Sequence, residues 1–124
     1  MGIGPDKENA MIIRNNPKNR TLVKRMERIV NAEPGFRASV DSDWNRGEDI
    51  RFEINTVGMD TPLVVSSHIR IDGRLELGIR LLPKRMDMAD ALTLAWRLNS
   101  LHNINDALDA LVFAAKPEHS TFSD

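Results

Sequence analysis

The stretch Phe36–Asn55, FRASVDSDWNRGEDIRFEIN, decides the fold because apolar and polar residues alternate on both sides of a polar turn. Such alternation is typical of a β-hairpin with one buried face. The apolar residues of the two strands lie on the same face only if the loop between the strands has an odd number of residues. Asn45–Gly47 fits a three-residue loop with Gly47 in the left-handed conformation. This register predicts that Asp41 lies opposite Arg51. The expected buried set is Phe36, Ala38, Val40, Trp44, Ile50, Phe52 and Ile54.

A second alternating pair of runs, Leu63–Ile71 and Leu75–Leu81, surrounds an Asp-Gly pair that is a strong hairpin signal. A two-residue turn would place Ile69 opposite Glu76, so an apolar residue would lie on the polar face. We therefore expect a bulge or a three-residue connection, which would set Arg70 opposite Glu76.

The first helix is predicted over Arg20–Ala32, where apolar residues recur at helical spacing and a Pro-Gly pair follows. The preceding arm, residues 1–19, is expected to be flexible, although Met11–Ile13 could pack as a short edge strand or as a plug against the core. The tail, residues 117–124, is also expected to be flexible. These boundaries leave a single α+β domain over residues 20–116.

Two further helices are predicted at the C-terminal end. Asp87 can cap a helix that runs to about Leu101, and Asn103 or Asn105 can cap another that ends near Lys116. Both are apolar on most sides, which indicates burial on most sides. In the first of them, one face holds Met88, Leu92, Ala95, Trp96 and Asn99, and another holds Ala91, Leu94, Leu98 and Leu101.

The resulting order is α-β-β-β-β-α-α, which predicts a four-stranded antiparallel meander with the helices on one face of the sheet.

Several function classes are excluded by composition and motif. Without cysteine there is no disulfide framework, thiolate nucleophile or zinc ribbon. No nucleotide-binding loop or hydrolase motif occurs, so we expect no cofactor, no metal and a non-enzymatic role. No long apolar run suggests a membrane span or a signal peptide, so we expect no membrane contact and a cytoplasmic location.

Charge is distributed unevenly along the chain. Residues 1–37 contain eight cations and four anions, whereas the remainder contains nine cations and fourteen anions. A basic first helix could attract nucleic acid or an acidic protein partner. The residues that would bind it are Arg20, Lys24, Arg25 and Arg28. The alternative is that these cations form only the solvated face of the helix.

The polar face of the sheet provides a third hypothesis, a small-ligand or enzyme site. His68 is the best acid-base candidate, because it lies among charged strand residues. The full set is Asp41, Arg51, His68 and Arg70. An ordinary solvated sheet face explains the same residues.

The surplus apolar surface of the C-terminal helices is the most informative feature. It suggests a dimer interface or a groove for a partner segment, and twofold homodimers are the commonest soluble oligomers. The residues expected at this surface are Ala91, Leu94, Leu98, Leu101 and Phe113. We expect a homodimeric protein-binding module that also binds another protein. In architecture it resembles the small secretion-chaperone and adaptor domains, which implies an adaptor or chaperone-like role.

Overall fold

A computed structural model of the chain describes residues 10–58, 64–81 and 85–116. Within these residues the fold is α+β, with two helices and five strands. The elements are β1 (Met11–Ile13), α1 (Pro17–Ala32), β2 (Phe36–Asp41), β3 (Ile50–Thr56), β4 (Val64–Ile69), β5 (Leu75–Leu81) and α2 (Met88–Ala115).

The strands form two antiparallel sheets, one with the order β1-β3-β2 and one with the pair β4-β5. The predicted four-stranded meander is therefore wrong. In a meander, β4 would pair with the edge of β3 that β2 leaves open. That edge is occupied by β1, with Met11 opposite Phe52 and Ile13 opposite Ile50. The fifth strand is thus the short edge strand that the N-terminal sequence suggested.

The β2–β3 hairpin has the predicted register, with Asp41 opposite Arg51. Gly47 adopts the predicted left-handed conformation, with φ of 73°. The pairing stops at Asp41, and the Asp43 carboxylate organises the turn by accepting hydrogen bonds from the backbone N–H groups of Asn45 and Arg46. The register therefore follows from two local features: the odd number of loop residues that the alternation requires, and Gly47.

The β4–β5 hairpin has a three-residue connection, but its register differs from the prediction. His68 lies opposite Glu76, and Arg70 is paired with Arg74 through a backbone hydrogen bond of 2.7 Å. The reason is that the connection ends at Gly73, whose φ is 87°. The predicted register would have placed Arg74 at that position, and the left-handed conformation is unfavourable for a residue that has a Cβ.

Helix α1 begins earlier than predicted, at Pro17 rather than Arg20. Asn16 is the N-cap, and its side chain accepts a hydrogen bond from the backbone N–H of Asn19. Proline suits the first helical position because the missing N–H would have no intrahelical partner there.

Residues 1–9 and 117–124 of the predicted flexible arm and tail lie outside the described residues, so the proposed domain division stays a prediction.

Helix α2 is one continuous helix of 28 residues, so the prediction of two C-terminal helices is wrong. Asp87 is the N-cap as predicted, and the helix ends before Lys116. Asn103 and Asn105 lie inside it rather than at a second N-terminus. No glycine or proline occurs within the helix, and an interior asparagine costs only a few tenths of a kcal/mol relative to alanine, about 0.6 at most.

The core is a single apolar cluster to which both helices and both sheets contribute. Among its most buried side chains are Met11, Ile13, Met26, Phe52, Ile104 and Leu108. Helix α2 contributes fully buried residues only from Ser100 onward. Its first three turns therefore extend beyond the part that is buried in the core.

Candidate protein-binding surface

The inward residues of α2 are more polar in its N-terminal half than in its C-terminal half, although Leu94 of the N-terminal half packs against the core. In the C-terminal half the inward positions are apolar and buried, as at Leu101, Ile104 and Leu108. In the N-terminal half the inward positions include Thr93 and Arg97, which are half-buried. The helical repeat places the large apolar residues of that half on the outside.

We call Met88, Leu92 and Trp96 the outer stripe. These residues follow one another at intervals of four, which places them on one side of the helix. Their side chains are 75%, 65% and 61% exposed. Three large apolar side chains exposed side by side are unusual for a helix that belongs to a folded domain.

The outer stripe is bounded along the helix by polar residues. On the same side of α2, the next outward positions are Asn99, Asn103 and Asp106, all of them exposed. Ala89 and Ala95 lie on either side of the stripe and are also exposed. The result is a compact apolar surface that spans about two helical turns, from Met88 to Trp96, and is followed on the same side by polar residues as far as Asp106.

Arg97 accounts for the orientation of this half of the helix. Its Nη2 donates a hydrogen bond of 2.8 Å to the backbone oxygen of Val57, at the end of β3. Its guanidinium also lies directly over Gly35, where a Cβ would overlap it. Successive residues of a helix differ in direction by about 100°, so Arg97 can be directed inward while its neighbour Trp96 is 61% exposed.

The apolar set expected from the sequence does not form one exposed surface. Leu101 is only 7% exposed and belongs to the core, and Leu94 packs against the core. Ala91 is half-buried. Leu98 and Phe113 are exposed. Leu101 is therefore removed from the candidate surface, and the outer stripe is the larger exposed apolar area of the helix.

Phe113 forms a separate contact near the far end of α2. The guanidinium of Arg74 lies 4.7 Å from its ring centroid, and the ammonium of Lys116 lies 5.9 Å from it. Seventeen residues separate it from Trp96, or about 25 Å along the helix. Phe113 thus covers the β4–β5 turn and does not extend the outer stripe.

The basic residues of α1 are partly exposed and partly engaged. Lys24, Arg25 and Arg28 are exposed, and Lys24 and Arg28 line a shallow open groove along the helix. Arg20 instead donates a hydrogen bond of 2.8 Å to the Asn15 side chain and lies 5.6 Å from the ring centroid of Trp44.

Trp44 is 41% exposed, although the alternation of the hairpin predicts that it is buried. The reason is that β2 ends at Asp41, so Trp44 lies in the turn, where the alternation of a strand no longer applies.

The predicted sheet-face residues lie in two different sheets. Asp41 and Arg51 are opposite each other in the first sheet, where Arg51 forms an ion pair of 3.7 Å with Glu53. In the second sheet the His68 Nε2 lies 2.8 Å from a Glu76 carboxylate oxygen. Arg70 forms a 3.1 Å ion pair with Asp72. Arg51, His68 and Arg70 are thus each close to a carboxylate of their own sheet or turn.

Within the described part of the chain, no three histidine, aspartate or glutamate side chains come together as metal ligands. Over the same residues, neither helix combines the length and hydropathy needed to cross a membrane.

Periodicity alone grouped the outer stripe correctly but did not show which side of α2 faces outward. The sequence does contain a signal for the inward side, namely the residues that continue each face toward the C-terminal end of the helix. The face of Met88 becomes polar at Asn99, whereas the face of Leu94 and Leu101 continues through Leu108. In a continuous helix, the second face is therefore the inward one.

Comparison of the chain with protein-family models, with curated proteins and with solved structures finds no match. The fold and the surface define a class: a small α+β domain that presents an apolar face of a long helix.

Proposed function

We propose that the protein is a non-enzymatic cytoplasmic protein-binding module, of adaptor or chaperone-like type, that forms a homodimer through the first half of α2. The observation that supports this proposal is the exposure of the outer stripe. Exposed contiguous apolar surface favours protein association because burial removes it from water.

The shape of the surface favours a protein over a small molecule. Small-molecule sites are concave and enclose most of their ligand. The outer stripe lies on the convex surface of a helix, and such a surface fits a groove or a second helix. Three large side chains spaced by four residues are also the anchor pattern of helix-mediated recognition.

The energies predict a dimer of moderate affinity. Full burial of one large apolar side chain contributes roughly 1.5–3 kcal/mol. Two outer stripes, each about two-thirds exposed, would contribute on the order of 6–12 kcal/mol, against an association cost of about 4–15 kcal/mol. The most favourable difference, about 8 kcal/mol, corresponds to a dissociation constant of about 1 μM, so we expect a weak dimer whose dissociation constant is in the micromolar range or above.

The test is the solution mass by light scattering, from about 1 to 300 μM protein, at low and high salt. We expect a mass near twice 14.0 kDa at the highest concentrations, with little dependence on salt. Leu92→Glu places a charge at the centre of the outer stripe and should give a folded monomer. Asn103→Glu is the matched control, because Asn103 is exposed on the same side of α2 beyond the stripe.

Two results would contradict the proposal. One is a monomer at every concentration, and the other is a dimer that Leu92→Glu leaves unchanged. A dimer that dissociates as salt rises would instead favour association through the exposed cations of α1, because exposed charges are screened by salt. Circular dichroism of each variant establishes that a change in mass does not come from unfolding.

A further inference from the structure

We infer that the two outer stripes pack in antiparallel orientation about a twofold axis at Leu92, so that Met88 contacts the partner's Trp96. This inference rests on the proposed function and specifies the partner of the same surface as a second copy of this chain. It also fixes the register of the two helices.

The outer stripe is symmetric about its central residue. Met88 lies four residues before Leu92 and Trp96 lies four residues after it. In an antiparallel pair centred on Leu92, each Leu92 meets its own copy, and each Met88 meets a Trp96 ring. A thioether against an aromatic ring is a favourable contact, and methionine adapts to the shape of the larger side chain.

The residues beside the stripe follow the same symmetry. Ala89 and Ala95 are each three residues from Leu92, and both are exposed. Small side chains in these positions permit helix axes to approach to about 8–10 Å, the spacing at which side chains of two helices interdigitate. The twofold operation places each Ala89 near an Ala95 of the second copy.

Charge and polarity favour the antiparallel over the parallel orientation. A parallel pair in register would bring together the two copies of Asp106 and of Asn103, which are exposed on the same side of α2 as the stripe. Like charges placed opposite each other oppose association. In the antiparallel pair these residues lie beyond Met88 of the second copy, and the two Asp106 residues are about 42 Å apart along the helices.

The area available is that of a specific but reversible interface. Large side chains bury roughly 150–250 Å² each, so the exposed fractions of the two stripes and their alanine neighbours amount to on the order of 1,000 Å². This is near the lower limit for specific interfaces.

Single cysteines test the register, because the chain contains no cysteine of its own. A disulfide requires Cα atoms within about 7 Å. In the antiparallel pair two Leu92→Cys residues meet this condition, whereas two Met88→Cys or two Trp96→Cys residues are offset by about 12 Å along the helices. At a concentration above the dissociation constant, mild oxidation should cross-link Leu92→Cys at least about tenfold faster than either of the others.

A mixture of Met88→Cys and Trp96→Cys chains should cross-link as a heterodimer, which mass spectrometry identifies. Asn103→Cys is the control for random collision. Efficient cross-linking of Met88→Cys or Trp96→Cys with itself, or no preference for Leu92→Cys, would overturn the antiparallel register. If Leu92→Glu still abolishes the dimer in that case, the proposed function stands. A chain that is monomeric throughout would contradict both.

Discussion

Arg97 and Gly35 form the contact that sets the direction of the first half of α2. The guanidinium occupies the space that a side chain at position 35 would need, and Gly35 has φ of 88°. Position 35 therefore favours glycine for two reasons: its backbone conformation, and the Arg97 guanidinium, which a Cβ would push away from Val57. The two reasons can be separated by comparison with Gly47, which has φ of 73° and open space for at least 4 Å around the point where a Cβ would lie.

Gly35→Ala is expected to lower the free energy of unfolding by about 1.5–3.5 kcal/mol, because the loss of the hydrogen bond from Arg97 to Val57 adds to the backbone strain. Gly47→Ala carries the strain alone and should cost about 1–2 kcal/mol. Urea denaturation measures both. In an Arg97→Ala background the cost of Gly35→Ala should fall toward that of Gly47→Ala. Equal costs in the native background would contradict the close approach of Arg97 to Gly35.

Asn19 is a fully buried polar residue at the start of α1. Its Nδ2 donates a hydrogen bond of 2.9 Å to the backbone oxygen of Arg14, which links the helix to the segment that follows β1. Asn19→Ala should lower the free energy of unfolding by about 1–3 kcal/mol, because a buried carbonyl loses its partner. The exposed Asn45→Ala is the comparison, with an expected change within about 0.5 kcal/mol. Equal stability of the two variants would contradict this role.

At the scale of elements, the continuity of α2 determines which of its faces is inward. The change in the free energy of unfolding on Asn103→Ala has opposite signs for one continuous helix and for two helices. In the interior of a helix, Asn103→Ala raises the free energy of unfolding by up to about 0.6 kcal/mol. At the N-cap of a second helix, the same change would lower it by about 1 kcal/mol. Denaturation at a fixed protein concentration gives the sign, and we expect stabilisation; a loss would contradict a continuous helix.

The elements that were predicted correctly depend on local patterns. The β2–β3 register follows from alternation, an odd connection and Gly47, all within Phe36–Thr56. The position of β1 in the sheet depends on the pairing of Met11 with Phe52, which are distant in the chain. No local pattern specifies that pairing, so the sheet order was not predictable.

The candidate surface shows the same limit. Both faces of the first half of α2 are apolar, and Arg97 anchors one of them by a hydrogen bond to Val57, forty residues away in sequence. The surplus of apolar helix surface could be predicted from composition and periodicity. The residues that form it follow from the sequence only if α2 is taken as one helix, because only then does the face of Leu94 and Leu101 continue through Leu108 as the inward one.

At the scale of the whole molecule, dimerisation through α2 leaves other surfaces accessible. Helix α1 packs against α2, and its cations Lys24, Arg25 and Arg28 are exposed. The outward faces of the sheets carry polar contacts such as Arg51 with Glu53 and His68 with Glu76. A dimer would therefore present two copies of these surfaces, which suits a module that joins other proteins.

Dimerisation should also couple folding stability to protein concentration. If the native chain associates and the unfolded chain does not, mass action raises the melting temperature as concentration increases. We expect this increase for the native sequence and for Asn103→Glu, and its absence for Leu92→Glu. Differential scanning calorimetry over about a hundredfold concentration range measures it. A melting temperature of the native sequence that is independent of concentration would argue against a dimer.

The most direct test of the account is the environment of Trp96 itself. Trp44→Phe leaves Trp96 as the single tryptophan, and its emission reports whether the outer stripe is in water. We expect blue-shifted emission at high concentration that moves to the red on dilution through the dissociation constant, and red emission at all concentrations when Leu92→Glu is added. Emission that stays red at every concentration in the Trp44→Phe chain would contradict the claim that this surface associates.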